Sequence, residues 1–212
     1  MHCTDLPATH EAVLRGHGAP KEPGCRSERG GSRNLFSPVA LYVTKYVSPR
    51  VRPLAPEEAA IRNTAYGLNR ADPEAIAGAA PAMAALIDGP CWLVPVPASS
   101  GNLTPNFALA HAIARMVQGA RVKCAVARAR PVESSCHRRL RGLLGLLPSE
   151  HAIVRVAGPL RPLPLYFVDN VITSGATITA CRRALGWGTG LVYADASTRS
   201  NIHRTCSSPS LP

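Results

Sequence analysis

The stretch LYFVDNVITSGAT, residues 165–177, joins four apolar residues to an acid and an amide, Asp169 and Asn170, then to an apolar pair and a turn of small hydroxyl residues and glycine. The alternation of types reads as a buried strand, a tight turn and the start of a helix. Hydroxyls of Thr173, Ser174 and Thr177, backbone N–H groups made approachable by Gly175, and the positive end of a helix dipole together favour a phosphate dianion. Ala176 adds a small residue that lets a ligand approach. In an open α/β sheet ligands lie beyond the carboxyl ends of the strands, where Asp169 and Asn170 would project. A strand, a turn and a Thr-capped helix without a ligand is the plainer alternative, because Ser, Thr and Gly are common at any such junction.

The elements that must hold this segment follow from periodicity and end signals. Val39–Val43 reads as a strand, Pro56–Leu68 as a helix with Glu57 and Glu58 in its first turn, and Pro73–Ile87 as an Ala-rich helix capped by Asp72. Cys91–Val96 (CWLVPV) is a buried-strand run, followed by a Ser/Gly/Asn loop and a helix from Pro105 to Val117, with Thr104 as its cap and Phe107, Ala110, Ile113, Ala114 and Val117 on one face. Val122–Ala127, Ile153–Val156, Leu165–Val168 and Leu191–Ala194 are further strands, and the helix Thr177–Leu185 stops at Gly186. Strands alternating with helices predict an α/β fold with a parallel sheet flanked by helices.

The expected organisation is an arm over residues 1–34, a mostly helical N-terminal extension or hood over 35–90, a core over 91–197 and a flexible tail over 198–212. A chain of 212 residues is long enough for one substantial core and short for two full domains. With 46% hydrophobic and 17% charged residues, general disorder is excluded as a description of the whole. No apolar run reaches the length of a membrane-spanning helix, and the first 30 residues carry acidic, Gly and Pro positions where a signal peptide needs an apolar stretch. A cytoplasmic protein without membrane contact is the expectation.

Seven cysteines, an odd and dispersed set without a C-x-x-C pair, argue against a disulfide framework. Cys3 and Cys25 lie near His2, His10 and His17, yet their spacing matches no common zinc motif, and free thiols and solvated imidazoles are the preferred reading. His111, within the Phe107 helix, is read as a partly buried structural imidazole rather than a catalytic one.

The net charge of +11 is uneven: residues 98–160 hold nine Lys or Arg against two Glu, whereas residues 51–97 hold three against five acids. That asymmetry points to an anionic partner. Phosphate ester and nucleic acid both satisfy it. An aromatic content of 5% and the lack of a recognisable nucleic-acid motif make stacking on single strands the weaker option.

The 165–177 segment resembles the phosphoribosyl-pyrophosphate motif of type I phosphoribosyltransferases, in which a buried strand ends in an acidic pair and leads into a Thr-rich phosphate loop. LVPVPASSGN, residues 93–102, is similar to the strand and pyrophosphate loop of that family, closest in style to its ComF-like branch. The likeness covers Cys91–Ala196, about half of the chain. It implies a type I phosphoribosyltransferase-like fold and a Mg²⁺-dependent transfer of ribose 5-phosphate from phosphoribosyl pyrophosphate to a nitrogenous base, releasing pyrophosphate. Thr173, Ser174, Gly175, Ala176 and Thr177 would hold the 5′-phosphate. Ala98, Ser99, Ser100 and Gly101 would wrap the pyrophosphate. Asp169 and Asn170 would face the ribose hydroxyls and the magnesium ion, which the diphosphate and ribose oxygens would mainly hold, with Asp169 as the candidate protein ligand.

The resemblance also implies that the basic segment forms a mobile lid. Arg128, Arg130, Arg138, Arg139 and Arg141 would close over the diphosphate, with Ser134 and Ser135 near the middle and Arg138 and Arg139 acting on the leaving group. Arginines solvating an exposed face are the alternative. Two departures matter: Asn170 stands where the family has its second acid, and Thr173 stands where purine-salvage members commonly carry Asp, which disfavours hypoxanthine and guanine. A non-catalytic regulator that senses phosphoribosyl pyrophosphate or binds nucleic acid on the same fold is therefore the competing expectation, and a homodimer is left open.

Overall fold

Neighbouring residues on a strand point to opposite faces of its sheet, and three pairs here show that period directly. Leu93, Val168 and Leu191 enter one core, whereas Val94, Phe167 and Val192 enter another on the far side. The computed structural model describes residues 40–48, 52–134, 137–138 and 141–197, with the backbone of 203–204. The arm with Cys3, Cys25, His2, His10 and His17, the first strand's Val39, and Ser135 and Arg139 lie outside the described residues.

The strands are β1 (Ala40–Lys45), β2 (Trp92–Pro95), β3 (Arg121–Val122), β4 (Val126–Arg128), β5 (Ile153–Arg155), β6 (Leu165–Ile172), β7 (Thr189–Asp195) and β8 (His203–Arg204). Six of them form a parallel sheet in the order β3-β2-β6-β7-β1-β8, and β4 and β5 pair as a separate antiparallel ribbon. The helices are α1 (Pro56–Asn69), α2 (Pro73–Ala84), α3 (Thr104–Ala114) and α4 (Ala176–Leu185). Residues of α1–α3 line the core that receives Leu93, Val168 and Leu191, and α4 with the ribbon covers the face of Val94, Phe167 and Val192. The molecule is thus an α/β fold with helices on both faces. None of its described helices is long and apolar enough to cross a membrane.

The end signals explain several boundaries. Asp72 accepts a hydrogen bond from the Glu74 amide at 3.1 Å and caps α2, and Gly186 takes φ +93° to end α4, a conformation that costs glycine little. Gly188, at φ +122°, turns the chain into β7, where a Cβ would stand 2.5 Å from the Phe167 ring.

Other boundaries depart from the sequence reading. Thr104 is the first residue of α3 rather than its cap, because the Asn102 amide oxygen accepts the Thr104 N–H at 2.9 Å. The expected strand 122–127 is split between β3 in the sheet and β4 in the ribbon, while β5 pairs with β4 instead of joining the sheet. Residues 40–84, expected as an extension, supply β1, which pairs with β7 inside the sheet, and two helices of the same core. Within the expected tail, the backbone of 203–204 pairs with β1. Phe107, expected on the buried face of α3, is exposed, and so is His111, whose ring meets it edge-on at 4.4 Å between centroids.

Connections place the site. The chain leaves β2, crosses through α3 on one face and enters the sheet beside it as β3; it leaves β6, crosses through α4 on the opposite face and returns as β7 on the other side. Crossovers of one hand that run in opposite directions must lie on opposite faces. The chain therefore reverses direction across the sheet between the adjacent strands β2 and β6, and the crevice beyond their carboxyl ends is the topological switch point.

Candidate functional site

The loops beyond β2 and β6 are the two segments that the sequence marks for anions. After β2, the Ala98 amide bonds to the Asn102 carbonyl at 2.9 Å and the Gly101 amide to the Ala98 carbonyl at 2.9 Å, with Gly101 at φ +93°. This closes a tight turn and uses two of the four amides expected to wrap an anion. The N–H groups of Ser99 and Ser100 have no protein acceptor among the described residues. The Ser99 carbonyl accepts the Val132 amide at 2.9 Å, so the chain beyond β4 is tied back to this turn.

After β6, Thr173, Ser174 and Gly175 turn the chain into α4, with Gly175 buried at φ +75°. The turn and the first residues of α4 line a cavity of about 270 Å³, counting its open mouth, together with Asp169. Ser174 Oγ accepts the Ala176 N–H at 3.4 Å. The first-turn N–H groups of a helix have no intrahelical acceptor, so those of Thr177 and Ile178 are directed out of the start of α4, toward the cavity that these two residues line.

Strand β6 runs on to Ile172, with Asp169 paired to Val192 and Ile172 to Asp195 on β7. Asp169 and Asn170 therefore lie within the strand, not beyond it, and alternate sides separate their side chains. Asn170 turns toward α1: its Nδ2 donates to the Ala65 carbonyl at 3.3 Å, and its Oδ1 accepts the Val171 amide at 2.8 Å. The expected convergence of the two side chains on one ligand is not found.

Asp169 turns the other way. Its Oδ1 accepts from Asn106 Nδ2 at 3.1 Å and from the Asn170 amide at 2.9 Å, and Oδ2 has no hydrogen-bond partner among the described residues. Burial raises its carboxyl to about 6; the two hydrogen bonds and the nearby Arg128 charge oppose that rise without cancelling it. Asn106, buried in the first turn of α3, also donates from the same Nδ2 to the Val96 carbonyl at 2.8 Å. One amide thus joins the loop after β2 to the acid of β6 across the switch point.

A second link passes beneath the loops. Arg128, on β4, donates from Nε to the Ala98 carbonyl at 2.6 Å and from a terminal nitrogen to the His151 carbonyl. Desolvation lowers the Arg128 pKa, and the Asp169 carboxylate works against that. His151 ends a single 3₁₀ turn, Pro148–His151, and its Nδ1 stands 3.5 Å from Thr177 Oγ1. It is 4% exposed, its Nε2 is buried without a partner among the described residues, and burial followed by the Arg128 charge lowers its pKa.

Among the expected lid residues, Arg128 is partly buried and supports the turn after β2. Arg138 donates to the Leu144 carbonyl at 2.7 Å and lies 3.8 Å from Glu133, which also receives Arg141 at 3.0 Å. Arg138 is thus engaged within its own segment, and Arg139 is outside the described residues. Asn106 and His151 escaped the sequence reading. A buried Asn in the first turn behind a Ser/Gly loop was the one available signal; nothing local marks His151.

Among the described residues no group of three or more His, Cys, Asp or Glu gathers to hold a metal ion. The donor chemistry at the crevice is one carboxylate with a free oxygen, Asp169 Oδ2. That suits a hard cation carried by a polyphosphate, since magnesium is usually bound by one or two carboxylates and otherwise by water and phosphate oxygens. Cys91, Cys124 and Cys181 are free thiols, and burial pushes Cys91 up to about 11 and Cys181 to about 12, which leaves these two inert. No protein-family model matches the chain, and no curated protein or solved structure matches it either.

Proposed function

We propose that the chain is a Mg²⁺-dependent phosphoribosyltransferase of the type I kind, moving ribose 5-phosphate from phosphoribosyl pyrophosphate to a nitrogenous base. The observation that carries the reading is the Asn106 amide bonded at once to Val96 and Asp169, which sets two anion loops around one crevice at the switch point of the sheet. A sugar flanked by a phosphate and a diphosphate is the ligand whose charges lie at two ends with hydroxyls between. Thr173–Thr177 and the start of α4 hold the 5′-phosphate, and the Ser99 and Ser100 amides meet the diphosphate. Asp169 accepts from the ribose hydroxyls.

In the reaction the bond from the anomeric carbon to the pyrophosphate oxygen breaks and a bond to a base nitrogen forms on the opposite face, with loss of a proton from that nitrogen. This chain contributes chiefly position: effective molarity from holding both partners, and N–H groups aimed at the departing charge. Asp169 would hold magnesium together with the ligand's own oxygens, and the ion would supply neutralising charge to the diphosphate. Asn170 hydrogen-bonds to Ala65, so the acid pair of the resemblance is reduced to Asp169. Arg138 and Arg139 act as lid cations only if Arg138 exchanges Glu133 for the diphosphate.

Titration calorimetry with phosphoribosyl pyrophosphate and Mg²⁺ tests the reading: Asp169→Ala and Thr177→Val each abolish the binding heat, and unchanged heats sink it. Pyrophosphate release screened against nucleobases and their precursors tests transfer. Salt-sensitive binding to DNA or RNA with no pyrophosphate release would favour the non-catalytic regulator instead.

A further inference from the structure

The carboxyl edge of the sheet holds a second group of side chains that the donor crevice leaves unused. Arg62 and Tyr66, four residues apart on α1, share one helical face, and the Arg62 guanidinium lies 4.9 Å over the Tyr66 ring. Tyr46 leaves β1 directly, held by its N–H bond to the Asp195 carbonyl at 2.8 Å. Ala65, between Arg62 and Tyr66, receives the Asn170 amide at 3.3 Å, so this part of α1 is fastened to the residue next to Asp169.

Arg62 has no anion. Its natural partner one turn earlier, Glu58, is taken by Arg52 through bonds of 2.8 and 2.5 Å and by the Ala55 amide at 3.0 Å. The other ion pairs of the described residues are Lys45 with Asp195, and Arg138 and Arg141 with Glu133. Among the described residues Arg62 Nε is buried without an acceptor. A buried donor on a permanent cation without a partner is uncommon in a folded protein unless a ligand completes it. Desolvation, together with the Tyr66 hydroxyl, raises the Tyr46 pKa, so its phenol stays neutral and able to donate. Tyr66 is 48% exposed and offers a ring on which a flat group can stack.

We propose that Tyr46, Arg62 and Tyr66 form a recognition site for a planar aromatic carboxylate, with Arg62 meeting the carboxylate and the Tyr66 ring meeting the plane. Resting on the function proposed above, this acid is the acceptor base, so the chain selects a nitrogen heterocycle that carries a carboxylate over a neutral one. The site lies on the α1 side of β6 and the phosphate loop on the α4 side, both at the carboxyl edge.

The probes are three charge-mismatched pairs of one shape: benzoate and benzamide, pyridine-3-carboxylate and pyridine-3-carboxamide, and pyrimidine-4-carboxylate and its amide. Binding is read by saturation-transfer NMR on the full chain, with and without phosphoribosyl pyrophosphate and Mg²⁺. At least one carboxylate binds wild type about ten-fold or more tighter than its amide. Arg62→Gln brings that carboxylate to the level of the amide, Arg62→Lys recovers part of the difference, and Tyr66→Leu weakens both members. Equal binding within every pair, no binding by any carboxylate, or discrimination that survives Arg62→Gln overturns the site. Donor heats unchanged in Arg62→Gln show that the variant is folded. Donor binding without discrimination overturns only this inference; discrimination without any donor binding overturns the acceptor role and the transferase reading while leaving an acid site.

Discussion

Replacing Asp169 by Asn should make the free protein more stable at neutral pH while removing the proposed affinity for phosphoribosyl pyrophosphate. Oδ1 takes both hydrogen bonds and Oδ2 none, so an amide oxygen in the place of Oδ1 keeps the Asn106 and Asn170 contacts and its NH₂ faces the cavity. What disappears is the charge. Burial raises this carboxyl from 3.8 to about 6 in the folded chain, a value that already includes the attraction of Arg128. The folded state therefore holds the proton more tightly than the unfolded state, and stability falls as pH rises from 3.8 toward 6, reaching its full loss above that. The linkage gives a cost of about 1 kcal/mol at about pH 4.5 and about 3 kcal/mol at about pH 7.5. Asp169→Asn recovers that cost, and at the higher pH it raises Tm by about 6–12 °C. Urea unfolding of both proteins at the two pH values reads the effect directly. A gap that is the same at both, or a wild type more stable than the variant near neutrality, would refute the claim that Asp169 is a desolvated carboxylate held for a ligand.

Substitutions at four further positions follow from the structure. Gly188→Ala sets a Cβ 2.5 Å from the Phe167 ring and 2.7 Å from Leu165 at φ +122°, and should cost about 3 kcal/mol or more in urea unfolding; Gly78→Ala, in α2 with open space around it, should instead gain about 0.5–1 kcal/mol. Arg128→Ala strands the Ala98 and His151 carbonyls, lowering stability by about 2–4 kcal/mol and donor affinity by about ten-fold or more, and Arg128→Lys should restore neither because one ammonium cannot span both carbonyls. His151→Phe should remove a pH dependence: the folded imidazole has a lowered pKa, so wild type loses stability as pH falls below about 6.5, where the unfolded chain is protonated first; equal acid sensitivity in the two proteins would count against that.

Much of the frame was legible because its signals are local. The apolar run at β2, the Asp72–Pro73 start of α2 and the Gly186 stop of α4 each depend on residues within one turn or strand. What was not legible depends on distant partners. Asp169–Ile172 looks like a loop in sequence and is strand because β7 continues alongside it to Asp195. Lys123–Ala125 looks continuous with its neighbours, yet the chain leaves β2 after the Lys123 amide bonds to Leu93 and turns into the ribbon where Val156 bonds to Ala125. The same holds at the site. Both anion loops announce themselves through Gly, Ser and Thr, whereas Asn106, Arg128 and His151 act through contacts 63, 30 and 26 residues away, which no window on the chain reveals.

The distribution of local conflict gives the crevice its meaning. Across the two cores, pattern and environment agree: apolar residues alternate by face, and Leu93, Phe167, Val168 and Leu191 are fully buried. The disagreements gather at one edge of the sheet. Asp169 is desolvated and, among the described residues, His151 has a ring nitrogen with no partner and Arg62 a buried donor with no acceptor. Each costs stability, and a chain selected for stability alone would replace them with an amide, an aromatic ring or an apolar side chain. Asp169 and His151 also oppose each other in pH, since the first favours the folded state as protons are added and the second disfavours it. Conflicts that concentrate where the topology opens a crevice, and not at random, are what a ligand site requires of a fold. A donor that brings a cation to Asp169 and an acceptor that brings a carboxylate to Arg62 would together resolve two of them.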